Sequence, residues 1–329
     1  MNRRLWTKYL GFLFLLCLTL SACQGTKSVD ETVVTPTRLT MGYIPNIQFA
    51  PVYVAIDKGY FEDAGFDVTL EYGSETDAVA LVGAGEQTFA IASGEQVLLA
   101  RAQELPVVYV AAWYQDYPVG VVSFIEAQIK TPEDLKDATI GIPGLYGASY
   151  IGFKTLLNAG NLTESDVNLL SIGFNQVEAL VSEQADAAVV YLANEPVTLR
   201  SQGYEVNLIR VADYLQLVAN GLVTNEATIR EHPEQVSNCI KALLKGIADT
   251  IENPDGAYEI SKKYVENLAE ADETVQREVL DESIKLWKTQ RLGFSEPAAW
   301  INMQQVLLDM KLLEETLDLN EAFTNDLLP

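Results

Sequence analysis

Histidine and cysteine are nearly missing from this chain of 329 residues, which holds one histidine and three cysteines. Cys17 and Cys23 belong to the N-terminal leader described below, so Cys239 is left without a partner. That excludes a disulfide framework and a cysteine metal site. His232 stands before Pro233 at an expected helix start, a place that suits a cap or surface residue better than a catalyst. The Ser-His-Asp and Cys-His relays and histidine-rich metal sites therefore lack their parts, and no metal or cofactor is expected. Basic residues are scarce as well: 22 against 46 acidic ones, a formal net charge of -24. Nucleic-acid binding needs a basic face, so that class is excluded, and the acidic excess reads as a solvated, self-repelling surface. After residue 20 no apolar run is long enough to span a bilayer.

What is present begins at the first residues. Arg3, Arg4 and Lys8 precede an apolar run over residues 10–20, which ends in Leu20-Ser21-Ala22-Cys23. This reads as a signal peptide over residues 1–22. The small residues before Cys23 resemble the lipobox of bacterial lipoproteins, in which cleavage leaves a lipidated cysteine as the mature N-terminus. A plain secretory signal and a short anchor helix remain the alternatives. The polar stretch that follows, assigned to residues 23–37, suits a flexible tether. Together these features predict a chain held by lipid at the extracytoplasmic face of the cell membrane without crossing it.

The remaining length exceeds what one hydrophobic core usually serves, so two domains are expected. Apolar runs and periodicity predict strands at 38–44, 67–72, 88–93 and 107–112, with helices at 48–58 and 75–82. Residues 120–124 carry the chain across to a second sheet of strands at 139–142, 167–171, 187–191 and 206–209, and 221–224 return it. Beyond Glu226 the pattern is helical, at 233–252, 255–266, 273–288 and 300–312. The fold class is therefore α/β, with mainly parallel sheets built from right-handed βαβ units. Domain 1 takes residues 38–123 plus 222–329 and domain 2 takes 124–221, joined by a two-segment hinge. An internal echo supports two related halves: Ala80-Leu81-Val82 before Gly85 to Ala92 is similar to Ala179-Leu180-Val181 before Glu183 to Val190. Each unit delivers a loop at the carboxyl end of a strand, where open α/β sheets bind ligands.

Three stretches carry a family resemblance: Gly42-Tyr43-Ile44-Pro45-Asn46-Ile47-Gln48-Phe49-Ala50-Pro51, then Asp57-Lys58-Gly59-Tyr60-Phe61, then Lys130-Thr131-Pro132-Glu133-Asp134-Leu135. The chain resembles the thiamin-pyrimidine-precursor and sulfonate/taurine binding-protein superfamily over most of its length. The resemblance implies a type II periplasmic-binding-protein fold with a helical C-terminal part and a ligand held between the domains. It also implies permease and ATPase subunits of an ABC importer as partners, met by a monomer. The superfamily includes a fungal thiamin-pyrimidine synthase that uses a cysteine-rich motif and a consumed histidine. Neither has a counterpart here, so an enzyme is not expected.

Candidate ligand-binding residues cluster at the ends of the expected strands. Tyr43, Asn46, Gln48 and Phe49 follow the first strand, Ser93 and Glu95 the third, and Trp113 and Tyr117 the fourth. Gly144, Tyr146, Gly147 and Tyr150 lead into a helix whose free N–H groups suit a ligand oxygen. Tyr191, Asn194 and Glu195 complete the set. Walls of rings and amides fit a neutral planar heterocycle, stacked between faces and read along its edge. A sulfonate prefers arginine or a nest of N–H groups; no arginine is in the set, although the glycine-rich stretch at 144–149 keeps an anion open. The Tyr43-Ile44-Pro45-Asn46 opening departs from the Trp-Thr-Pro-Asn of the thiamin-precursor proteins and resembles the riboflavin-binding lipoproteins. Riboflavin is therefore the favoured ligand, with pyrimidine precursors and sulfonates as alternatives.

Overall fold

The computed structural model describes residues 34–329. The signal peptide, Cys23 and the tether up to residue 33 lie outside the described residues. The first strand, β1 (Thr35–Gly42), begins earlier than expected and pairs along its whole length with parallel β2 (Phe66–Gly73). Residues 35–37 are thus strand, not tether. Pro36 is tolerated there because the neighbour on the other side reaches only Leu39 and Thr40, which leaves the start of β1 as an edge.

The first sheet has the order β2-β1-β3-β10-β4, with β3 at Phe89–Ser93, β4 at Val107–Ala112 and β10 at Asn220–Asn225. The second has the order β7-β6-β8-β5-β9, with β5 at Val119–Phe124, β6 at Thr139–Ile142, β7 at Asn168–Ser171, β8 at Ala187–Tyr191 and β9 at Val206–Arg210. The two sheets share one plan. In each, the fourth strand in the order, β10 or β5, runs antiparallel to both neighbours and the other four are parallel. β3 and β4 are buried along their whole length, as their mostly apolar runs require of strands covered on both faces, and β10 is buried throughout as well although Asn220, Thr224 and Asn225 are polar.

The chain passes from the first sheet to the second between Ala112 and Val119, and returns between Arg210 and Asn220. Both passages lie upstream of 120–124 and 221–224, because those stretches are themselves strands, ladder-bonded into the sheet they enter. Helices cover the sheets. The Pro233–Glu252 helix buries Val236, Ile240, Leu243, Leu244 and Ile247, an i, i+4, i+7, i+8, i+11 stripe, and packs on the Ala50–Asp57 helix. Several helices start at a proline, which costs nothing where no N–H partner exists: Pro51, Pro233, Pro254 and Pro297 all stand in the first turn. That shifts the last expected helix from 300–312 to Pro297–Asp309. His232 is the N-terminal flanking residue of its helix, and Cys239 is buried within the same helix.

Register puts the functional ends together. β1, β2 and β3 end at Gly42, Gly73 and Ser93, and antiparallel β10 begins at Asn220, directly opposite Ser93. In the second sheet β6 ends at Ile142 and β8 at Tyr191, with Val119 of β5 opposite Tyr191. No helix among the described residues is long and apolar enough to cross a membrane.

Candidate ligand-binding cavity

A cavity of about 630 Å³ lies between these strand ends, lined from both sheets. From the first sheet come Tyr43, Gln48, Phe49, Glu75, Trp113 and Asn220, and from the second Tyr146, Phe174, Gln176, Tyr191, Asn194 and Glu195. The lining contains two carboxyl side chains and no lysine, arginine, histidine or cysteine. No group of acidic, histidine or cysteine side chains able to hold a metal ion occurs among the described residues.

Tyr43 follows β1 in the left-handed region at φ 79°, a conformation that costs a non-glycine residue about 1–3 kcal/mol. The strain aims its ring across the cleft at Phe174, which follows β7, in an edge-to-face contact with centroids 4.8 Å apart. Burial, then the charge of Glu195, push the Tyr43 phenol up to about 12. Glu195 opens its own short helix; it accepts from the Tyr191 N–H at 3.0 Å and from the Asn194 amide at 2.9 Å. Burial raises its carboxyl to about 7. Gly144 serves indirectly: a Cβ there would stand 2.3 Å from the Tyr146 ring, so glycine leaves room for that ring to reach the rim.

Nine of the predicted site residues line the cavity: Tyr43, Gln48 and Phe49, then Trp113, Tyr146 and Gly147, then Tyr191, Asn194 and Glu195. The other six do not, for local reasons. The Asn46 side chain accepts from the Gln48 N–H and shapes the turn before the Ala50–Asp57 helix. Tyr117 is buried and donates its hydroxyl to the Ala148 carbonyl at 2.9 Å, tying the first passage to the Gly147–Ala159 helix. Tyr150 sits one turn inside that helix and turns away toward Glu164. Gly144 lies behind Tyr146, and Ser93 and Glu95 are wholly buried beneath the floor. Trp113 lines the cavity yet is only 1% exposed, since Phe49, Tyr114 and Trp287 pack around its ring at 5.9 to 6.2 Å. It is a wall, not an open stacking platform.

Sequence reasoning missed the floor. Glu75 accepts at Oε2 from the Ser93 N–H (2.9 Å) and hydroxyl (2.8 Å), and at Oε1 from the Asn220 amide (2.8 Å). Burial raises the Glu75 carboxyl despite these donors. The Ser93 hydroxyl also meets Glu95 Oε1, while Glu95 Oε2 has no partner. Burial, then the neighbouring Glu75, push Glu95 up to about 7. Glu75 follows β2, so the strand-end rule was there to find it. Asn220 had no such signal, because it opens an antiparallel strand whose amino end faces the cleft. Phe174 and Gln176, after β7, were missed for want of any feature in that loop beyond an exposed ring and a helix start.

The comparisons follow the same lines. The riboflavin-binding protein RibY of Chloroflexus aurantiacus is 38% identical over 299 residues, 88% of this chain and 85% of that protein. The formylaminopyrimidine-binding protein of Halalkalibacterium halodurans is 32% identical, covering 83% of each chain. The 4-amino-5-hydroxymethyl-2-methylpyrimidine phosphate synthase of Legionella pneumophila is more distant, at 20% identity over 88% of this chain and 92% of that protein. Among solved structures, the periplasmic aliphatic sulphonate binding protein SsuA of Escherichia coli superposes with a TM-score of 0.72 at 12% identity, over 87% of this chain and 96% of that one. That likeness places the two-sheet architecture in the periplasmic-binding-protein fold. Residues 46–257, well over half of the chain, match the family described as NMT1/THI5 like, and the chain belongs to that family.

Proposed function

We propose that this protein is the extracytoplasmic solute-binding component of an ABC importer, and that it captures a neutral planar heterocycle, riboflavin first, in the cavity between its two sheets. The lining carries the reading: aromatic faces and amides from both sheets, two carboxyl groups, and no cation. An alkanesulfonate needs a positive partner or a nest of N–H groups. Here it would meet Glu75 and Glu195 instead. A planar ring system gains about 0.5–1.5 kcal/mol per aromatic neighbour beyond area burial, and about 1 kcal/mol net per edge hydrogen bond. Several such contacts suffice for micromolar affinity or better, about -8 kcal/mol.

A binding role is supported over catalysis by the two relatives above 30% identity, both described as binding proteins, whereas the synthase stands at 20%. A pyrimidine precursor is the second reading, favoured by the formylaminopyrimidine-binding relative. The passages over residues 113–118 and 211–219 would serve as the two-segment hinge between residues 35–112 plus 220–329 and residues 119–210, closing on the ligand as rigid bodies. A monomer attached to the membrane through lipidated Cys23 would then present the loaded cleft to permease and ATPase subunits.

Thermal unfolding with riboflavin, formylaminopyrimidine and taurine tests the ligand class. A true ligand at 100 times its Kd adds about 2.7 kcal/mol of stability. Riboflavin is expected to stabilise and taurine to do nothing; stabilisation by taurine alone contradicts the reading. For the anchor, Cys23→Ala is expected to leave the membrane fraction without an acyl chain, and an acylated, membrane-bound Cys23→Ala protein would refute it.

A further inference from the structure

Beneath the cavity, three oxygens are joined by two contacts that one hydroxyl proton cannot satisfy. Ser93 Oγ lies 2.8 Å from Glu75 Oε2 and in a short contact with Glu95 Oε1. A serine hydroxyl has a single hydrogen to donate. If both carboxyls were ionised, one of the two contacts would press lone pair against lone pair. One carboxyl must therefore supply the second hydrogen, and the surroundings say which.

Glu75 already accepts from the Ser93 N–H and the Asn220 amide, the donor set of an ionised carboxylate. Glu95 is fully buried; besides Ser93 it has the Gln96 amide at 3.3 Å and its own backbone N–H nearby, and its Oε2 makes no hydrogen bond. An unpartnered carbonyl oxygen of a neutral acid costs far less than an unpartnered carboxylate oxygen. No other group can help. The titratable side chains facing the pair are Tyr109, Tyr117 and Tyr191, with Glu195 beyond Tyr191, and no cation pairs with either carboxyl among the described residues. The Tyr109 and Tyr117 hydroxyls are committed to the carbonyls of Ala219 and Ala148, and the Tyr191 hydroxyl faces Asn220.

We infer that Glu95, Ser93 and Glu75 form a relay holding one carboxyl proton between the two acids, Glu95 donating to Ser93 and Ser93 to Glu75, which fixes Glu75 as the carboxylate at the cavity floor that reads an N–H or amino group of the ligand. The inference rests on the heterocycle reading of the cavity and names its chemistry: a ring bearing an N–H or amino edge is accepted, and an anion is turned away. Glu75 is the only member of the relay that lines the cavity, so Glu95 and Ser93 act on the ligand through it.

The relay is tested without ligand, and its reading role with riboflavin. In the folded protein Glu95 titrates near 7, against an ordinary 4.5 in the unfolded chain. Between those values the folded state holds a proton that the unfolded chain has released, so Glu95 contributes stability that is present below about pH 4.5 and lost as pH rises toward 7. Urea denaturation from pH 4.5 to 8 is therefore expected to show a smaller decline for Glu95→Gln than for the native protein, with the shares from Glu195 and Glu75, both raised by burial, remaining. Parallel profiles overturn the relay. Separately, Glu75→Gln is expected to weaken riboflavin binding about tenfold or more, through loss of a charge-assisted hydrogen bond; unchanged affinity overturns the reading role. If the native protein binds no riboflavin at all, the heterocycle reading and the recognition half of this inference both fall for that ligand, while the pH profiles still decide the relay.

Discussion

At the scale of single residues, the two aromatics that carry most weight in the cleft have different tasks. Trp113 is enclosed by Phe49, Tyr114 and Trp287 and holds the wall in place, whereas Tyr43 reaches over the cavity from a strained backbone and meets Phe174 on the other side. Truncating the first removes core volume, and truncating the second removes a ring from the cavity lining. Trp113→Ala is expected to lose about 3–5 kcal/mol of folding stability by urea denaturation. Tyr43→Ala is expected to fold with nearly native stability and bind riboflavin roughly tenfold more weakly, by fluorescence titration. Native stability in Trp113→Ala, or native affinity in Tyr43→Ala, would show that the roles are misassigned. Its position at a strand end reveals from sequence that the Trp113 ring lies near the cleft. It does not reveal which faces its neighbours already cover.

At the scale of elements, the strands were the legible part. β3, β4, β6 and β8 are apolar runs bounded by polar or glycine-containing loops, and burial on both faces makes such runs easy to place. The start of β1 was hidden because Thr35-Pro36-Thr37 has tether composition, and only pairing with Phe66 to Val68 makes it a strand. The antiparallel strands β5 and β10 were found but taken for the passages between sheets; their sequence gives no direction, and partners on both sides settle their membership. The same limit hid the cavity floor. Glu75, Ser93 and Asn220 follow β2, end β3 and open β10, three segments that only the sheet order β2-β1-β3-β10 brings within hydrogen-bond reach. Gly221 assists: at this point β10 passes under Tyr109, whose hydroxyl would lie 2.1 Å from a Cβ.

At the scale of the whole molecule, charge and cleft chemistry separate cleanly. The chain carries a net charge of -24, which keeps the surface solvated and repels anions at long range, an effect that salt screens. Within the cavity the proposed ligand would be held by stacking and short hydrogen bonds from the lining of both sheets, which salt hardly touches. Titrating riboflavin with the protein and following its fluorescence at low and high salt, with excess taurine as competitor, therefore tests the central claim most directly. The account predicts strong quenching as the isoalloxazine enters the aromatic cleft, an affinity nearly independent of salt, and no displacement by taurine. Absence of quenching, together with taurine binding that weakens steeply as salt is raised, would contradict it.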